Sequence, residues 1–213
     1  MLAVEMDQQP QSVQTLSRLL ATSLPSGMRV QIRDGQLQSL KADVLHAPTE
    51  DINFSAHKVQ VITGGLGGLG LLTAQWMFRR GAQKFLLAGR SAPSKQAEAA
   101  ISALVEQGAY VEICQCDVGD YEQVVALAEK AGQLAPVQTL IHAAGLRRDG
   151  LISSLQDADF SLLRQTKAVA AENLHNAFQA LHPELTLYYS SIAGWLGGAG
   201  QSNYCAANAA LDS

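Results

Sequence analysis

The sequence is short of cysteine, charge, aromatic residues and long apolar runs, and each shortage removes a class of protein. Its three cysteines, Cys114, Cys116 and Cys205, form neither a Cys-x-x-Cys pair nor a Cys/His metal spacing. No disulfide scaffold or metal site is therefore expected, and the thiols fit a reducing compartment. Cys114 and Cys116 stand two apart on an expected strand, share one face, and read as small buried side chains. Charged residues make up only 16% of the chain, the formal net charge is -4, and no basic stripe extends beyond short pairs such as Arg147–Arg148. That balance disfavours a dedicated nucleic-acid binder. No apolar run reaches the about 18 residues needed to cross a bilayer, and the N-terminus has no basic segment leading into an apolar core. The expectation is a cytoplasmic protein with neither a membrane nor a nucleic acid as partner.

Glycine, in contrast, is plentiful, with 18 residues, five of them in the stretch VQVITGGLGGLG from Val59 to Gly70. Gly64, Gly65, Gly67, Gly68 and Gly70 allow a tight turn and a close approach to a pyrophosphate without a Cβ in the way. The spacing satisfies both Gly65-x-Gly67-x-x-Gly70 and Thr63-Gly64-x-x-Gly67-x-x-Gly70, with Leu66 and Leu69 between the glycines. A helix after them would direct unpaired amides and a positive dipole end at the phosphates. Such turns also arise from packing alone. The apolar run before the glycines and the amphipathic segment after them favour a nucleotide.

From Lys58 onward, strands and helices are expected to alternate, the signature of βαβ units in a parallel sheet. The strands are placed at Val59–Thr63, Lys84–Ala88, Ala109–Cys114, Val137–His142 and Leu185–Ser190. Helices are placed at Leu71–Arg80, Lys95–Gln107, Tyr121–Gln133 and Asp157–Leu181, with a last one beginning near Gln201. The fold class is α/β, a Rossmann-type doubly wound sheet with helices on both faces. Residues 1–57 read differently: a short helix at Val13–Leu20, then Arg29–Arg33 and Gln36–Val44 alternating around the hairpin dipeptide Asp34-Gly35. This segment has few apolar residues and is expected to be an edge piece or the tail of a preceding domain, joined through Ala47–His57.

Several positions fall where such sheets bind ligands, at the C-terminal strand ends. Gly89, Arg90 and Ser91 follow the second strand about 20 residues past the last glycine, where the adenosine ribose is read. An acid there favours NAD, whereas Arg90 pairs with a 2′-phosphate, so the expected cofactor is NADPH. Asp117 and Val118 follow the third strand. The Asp117 carboxylate either accepts from the adenine amino group or caps a helix starting at Gly119. His142, Ala143, Ala144 and Gly145 end the fourth strand, where small residues let the backbone pack beside a ribose; His142 by itself reads as a packed strand-end histidine. Ser190-Ser191 ends the fifth strand, and Tyr204 and Asn208 lie four apart on one helix face.

Taken together, these motifs make the stretch from Lys58 to Ser213 resemble the ketoreductase domain of modular polyketide synthases and animal-type fatty acid synthases, within the short-chain dehydrogenase/reductase superfamily. Ordinary members of that superfamily carry a lysine four residues after the catalytic tyrosine. Here that place holds Asn208, and the lysine is Lys167 on the preceding long helix, the exchange found in these ketoreductases.

The resemblance implies reduction of a β-ketoacyl thioester, borne on the phosphopantetheine of an acyl carrier protein, with neighbouring synthase domains as further partners. Tyr204 would donate the proton, and Lys167 would tune the tyrosine and hold the nicotinamide ribose. Ser191, thirteen residues before Tyr204, would hydrogen-bond the ketone oxygen, leaving Ser190 as a strand-end packing residue. Asn208 would support a proton relay through a water or the lysine.

Two family motifs depart from pattern. Arg147, Arg148 and Asp149 replace the Leu-Asp-Asp that accompanies one hydroxyl configuration, and Leu196 replaces the tryptophan that accompanies the other. Gln201-x-Asn203-Tyr204 leans toward the first class. Compared with the family, the domain at residues 58–213 is expected to be C-terminally incomplete, and residues 1–57 to be the tail of the structural subdomain that precedes the reductase. The alternatives are a catalytically silent nucleotide-binding module and a stand-alone short-chain dehydrogenase.

Overall fold

A computed structural model describes residues 3–22, 29–39 and 52–213. The chain forms two compact units, Met1–Glu50 and Asp51–Ser213. In the first, β1 (Ala3–Met6) and β2 (Arg29–Arg33) pair in parallel across helix α1 (Pro10–Leu20), and β3 (Gln36–Ser39) returns antiparallel to β2. The expected hairpin turn is present. Asp34 and Gly35 have φ of 49° and 75°, the pair of left-handed conformations that a two-residue turn matching strand twist requires. Strand β1 was not foreseen, because Ala-Val-Glu-Met is too short to show alternation. Residues 40–44 of the expected hairpin strand and 47–51 of the expected linker lie outside the described residues.

The second unit is a five-stranded parallel sheet in the order β6-β5-β4-β7-β8. Its strands are β4 (Val59–Thr63), β5 (Lys84–Gly89), β6 (Tyr110–Gln115), β7 (Val137–His142) and β8 (Leu185–Tyr188). Every residue of β4 is buried, which places it at the centre. Alternation then sorts side chains into two cores, as the pleat dictates. Val59, Val61, Leu86, Leu127, Leu140 and Phe178 fill one face. Ile62, Phe85, Leu87, Met77, Leu104 and Ile141 fill the other. The single polar residue inside β4 besides its last, Gln60, is fully satisfied: it accepts from Thr139 Oγ1 at 2.8 Å and donates to Gln138 Oε1 at 2.9 Å.

The helices are α2 (Gly68–Arg79), α3 (Lys95–Glu106), α4 (Tyr121–Leu134), α5 (Asp157–Arg164), α6 (Ala170–Phe178), α7 (Ala193–Leu196) and α8 (Ser202–Leu211). Four departures from the sequence reading bear on function. Helix α2 starts at Gly68, three residues earlier than expected, because the Gly67 carbonyl already accepts the Leu71 N–H at 2.9 Å. The single helix expected over Asp157–Leu181 is interrupted by a π-helical turn, Gln165–Val169, between α5 and α6, and closes in a 3₁₀ turn. Strand β8 stops at Tyr188, so Ser190 is exposed and not a packing residue. Strand β6 ends at Gln115, leaving Cys116 beyond it: Cys116 is buried, with its thiol pushed up to about 12 chiefly by burial, while Cys114 is only half-buried.

Helix α2 meets β4 through glycine. A Cβ on Gly70 would collide with the Gly64 carbonyl oxygen and lie 2.7 Å from Gly65 Cα. Gly70→Ala is expected to lower stability by about 1–3 kcal/mol, the usual overpacking cost, read as a lower urea midpoint with an unchanged slope.

Candidate active site

The glycine loop sits at the C-terminal end of β4, between β5 and β7. Strand order reverses at the β4/β7 boundary, the place where open α/β sheets bind ligands. Gly64 is required twice over: its φ is 70°, and a Cβ would lie 2.5 Å from the Ala144 amide nitrogen. The small pair Ala143-Ala144 is packed directly against the loop, held there by the Ala143 N–H donating to the Thr63 carbonyl at 2.8 Å. Leu66 leans over Gly89, where a Cβ would come within 2.8 Å of Leu66 Cδ1. Gly68 differs from its neighbours. Among the described residues, nothing outside its own helix backbone lies within 4 Å of the position its Cβ would take, and its φ is not left-handed. The α2 N-terminus has no side-chain cap, and Gly67, Gly68 and Leu69 are exposed there.

Arg90 and Ser91 are exposed just past β5, and the Arg90 guanidinium has no ion-pair partner among the described residues. Asp117 does not cap the following helix. It closes a turn by accepting the Gly119 N–H at 2.9 Å, while Asp120 is the cap and accepts from the Glu122 and Gln123 amides. The Val118 side chain belongs to the core, so only its backbone could meet a ligand; its carbonyl already accepts from Asn173 Nδ2 at 3.1 Å.

His142 is completely buried, and both ring nitrogens are engaged. Nε2 lies 3.0 Å from the Thr166 carbonyl, an acceptor, so Nε2 carries the hydrogen. Nδ1 must then accept the Thr63 hydroxyl hydrogen across 2.7 Å. Burial, followed by the neighbouring Lys167 charge, pushes the imidazole pKa down to about 4. The side chain is thus a satisfied interior group that offers a ligand no atom, in agreement with the packing interpretation.

Lys167 lies on the π-helical turn and is only 5% exposed, not the solvated helix lysine that its sequence context suggests. Its Nζ donates to the Tyr189 carbonyl at 2.6 Å and lies against Gly145, where a Cβ would come 3.6 Å from Nζ. Burial lowers its pKa, and the Asp212 carboxylate opposes that shift.

Helix α8 packs on this turn and on α5 and α7, which brings the Tyr204 helix to the lysine. Asn208 is fully buried on α8; its Nδ2 donates to the Tyr204 carbonyl at 2.8 Å, and no group among the described residues donates to its Oδ1. Gly194 of α7 abuts Asn208 and Ala209 so closely that a Cβ would lie 3.1 Å from the Ala209 nitrogen. Ser191, immediately before α7, accepts the Ala193 N–H on Oγ at 3.2 Å, which leaves its own hydrogen available to donate.

One residue has a role beyond the motif in which the sequence places it. Asn203, 1% exposed, donates through Nδ2 to the Arg148 carbonyl at 2.9 Å and accepts the Tyr204 N–H. Gln201 reaches Asp149, and the Gly150 N–H donates to the Gly200 carbonyl. The loop after β7 is therefore fastened to the start of the tyrosine helix, with the Arg147 and Arg148 side chains exposed. An asparagine before a tyrosine gives no sequence signal of such a role.

A parallel sheet with a glycine cradle at its switch point, and a buried lysine beside a tyrosine-bearing helix, is the Rossmann-fold arrangement of the short-chain dehydrogenase/reductase superfamily. Within it, the KR domain family matches residues 59–213. The chain belongs to that family, the ketoreductase domains of polyketide synthases.

It is 37% identical over 153 residues to polyketide synthase GfsB of Streptomyces halstedii, covering 71% of this chain and 3% of that protein. It is 38% identical over 172 residues to phenolphthiocerol synthesis polyketide synthase type I Pks15/1 of Mycobacterium marinum, covering 79% of this chain and 8% of that one. Among solved structures, it is similar to A-type ketoreductases from a modular polyketide synthase, with TM-score 0.83, 28% identity, and coverage of 98% of this chain and 46% of that one. It is also similar to a ketoreductase domain from the bacillaene assembly line, with TM-score 0.80, 27% identity, and coverage of 98% and 51%. The chain thus spans about half the length of these solved ketoreductases and a small fraction of the synthases. No helix among the described residues is long and apolar enough to cross a membrane.

The buried, neutral His142 makes stability depend on acid. Its pKa falls from 6.5 to about 4 on folding, so between those values the unfolded chain takes up a proton that the folded chain does not. This contribution is fully present above about pH 6.5 and is lost as pH drops toward 4, a change of about 3 kcal/mol. Urea midpoints measured at pH 7 and pH 4 are expected to differ less in His142→Gln, which cannot titrate, than in the parent.

Proposed function

We propose that residues 58–213 reduce a carrier-bound β-ketoacyl thioester to the β-hydroxyacyl thioester with NADPH, in the cytoplasm, as part of a polyketide synthase. Residues 1–57 are then the tail of its preceding structural subdomain, and the partners are an acyl carrier protein and neighbouring synthase domains. The observation that carries this reading is Lys167: an ammonium kept 5% exposed on a π-helical turn, against Gly145 and the Tyr189 carbonyl, with the Tyr204 and Asn208 helix packed on that same turn. A buried lysine is costly to maintain unless its charge is used.

The residues present suit a dinucleotide. Gly68 is the sharpest indication, because the fold itself does not call for glycine there: the space around its Cβ position is open and its φ is not left-handed. The missing side chain is better explained by a ligand approaching the backbone. The loop from Thr63 through Gly64, Gly65, Leu66, Gly67, Gly68, Leu69 and Gly70 would hold the pyrophosphate, with the uncapped α2 amides facing it. The Arg90 guanidinium, beside Gly89 and Ser91, would meet the 2′-phosphate, and Asp117 would accept from the adenine. The backbone of Ala143, Ala144 and Gly145 would border the ribose, with Lys167 and Tyr204 nearby.

Bound NADPH supplies the hydride for the β-carbon. The chain's part is proton delivery and charge stabilisation. Ser191 Oγ donates its unused hydrogen to the ketone oxygen, and Tyr204 Oη gives its proton to the same oxygen as charge gathers there. Lys167 Nζ stabilises the phenolate left behind. Asn208 Oδ1, a buried acceptor, anchors the relay that returns a proton.

NADPH oxidation with a β-ketoacyl N-acetylcysteamine thioester is expected in the parent, and Tyr204→Phe is expected to lose about 10²–10⁴-fold in kcat while keeping NADPH affinity. Binding of NADPH without turnover in the parent would instead favour a silent nucleotide-binding module. Turnover should decline with alkali below the 10.5 of an ordinary lysine, because Lys167 loses its proton early. Gly68→Ala should retain its urea midpoint and weaken NADPH binding about tenfold or more.

A further inference from the structure

We propose that His142 is the positioning residue for Lys167, holding the π-helical turn open through the Thr166 carbonyl and the ammonium in place through Tyr189. This deepens the reductase reading, from which it takes its chemical purpose, but the geometry stands by itself.

In a regular α-helix the Ala170 N–H would donate to the Thr166 carbonyl. Here it donates to Gln165 and Lys167, bypassing Thr166. The Thr166 carbonyl instead accepts Nε2–H of His142 at 3.0 Å. The ring cannot rotate away, because Nδ1 accepts the Thr63 hydroxyl at 2.7 Å at the end of β4. An inward-pointing donor therefore competes with helix propagation one residue before the lysine, which is how an inserted side chain creates a π-helical turn.

The second contact passes through the backbone of the same residue. The His142 carbonyl accepts the Tyr189 N–H at 3.0 Å, and the Tyr189 carbonyl accepts Lys167 Nζ at 2.6 Å. The Tyr189 hydroxyl lies 2.9 Å from Thr73 Oγ1, which fixes that residue at its other end. One histidine thus sets both the stem and the tip of the lysine, and connects them to the strand that carries the glycine loop.

The test follows the Lys167 Cε resonance by carbon-detected NMR as pH is raised, assigned with Lys167→Arg, in the parent and three variants. His142→Gln can still donate to the Thr166 carbonyl, so Lys167 should titrate at the parent value. His142→Leu removes the donor, and Lys167 should titrate about one unit or more closer to an ordinary lysine, with amides 165–171 exchanging about tenfold faster. Thr63→Val frees the ring at Nδ1 and should move both readouts in the same direction by less.

Parent-like titration and exchange in a folded His142→Leu would overturn the proposal. If that variant does not fold, Thr63→Val decides it: a shift supports the proposal and no shift overturns it. Neither substrate nor cofactor is needed, so an inactive parent would count against the reductase reading and leave this outcome unaffected.

Discussion

The site depends on keeping the Lys167 ammonium inside the protein. Desolvation opposes the charge, and three features counter it: the Tyr189 carbonyl at 2.6 Å, the field of Asp212, and a helix turn distorted so that the side chain enters beside Gly145. A buried charge held by so few neutral partners is expensive by general standards. The surroundings are correspondingly well defined. Small residues at β7, a glycine at 145, and a helix packed on the turn leave the ammonium little alternative placement.

That constraint propagates outward in both directions. Toward the sheet, His142 connects the lysine turn to Thr63, so the glycine loop and the lysine share one buried hydrogen-bond chain. Toward the surface, Asn203 fastens the loop after β7 to the first turn of the Tyr204 helix, and Gly194 lets α7 lie directly on that helix. Ser191 stands where α7 begins, so its position follows from the same packing. Lys167, Ser191 and the Tyr204 helix come from three separate stretches of sequence, but the structure carries them on contiguous elements.

Much of this was legible in the sequence because its causes are local. The β4 and β7 strands begin and end where the sequence places them, and the glycine loop announced itself because glycine answers a backbone requirement that no other residue meets. Asn208 was placed by its spacing from Tyr204 and Lys167 by the family resemblance, and the structure packs the helix of Asn208 and Tyr204 on the turn that carries Lys167. What the sequence concealed has non-local causes. The π-helical turn exists because a histidine from another strand takes one carbonyl, and no periodicity within Asp157–Leu181 encodes that. Asp117 read equally well as a helix cap and as an adenine acceptor, and only the course of the turn shows that the cap is Asp120. Helix α7 is four residues long, too short to show a pattern. The burial of Lys167 comes from α8, Gly145 and Tyr189, not from its neighbours in sequence, so nothing local announces it.

The most direct test of the central claim is isotopic. NADPH carrying deuterium at both C4 positions would be incubated with a β-ketoacyl thioester and the product analysed by mass spectrometry and NMR. The account predicts a single deuterium on the β-carbon of a β-hydroxyacyl thioester. A product without deuterium at that carbon, or no β-hydroxyacyl product from a protein that binds NADPH, would contradict it.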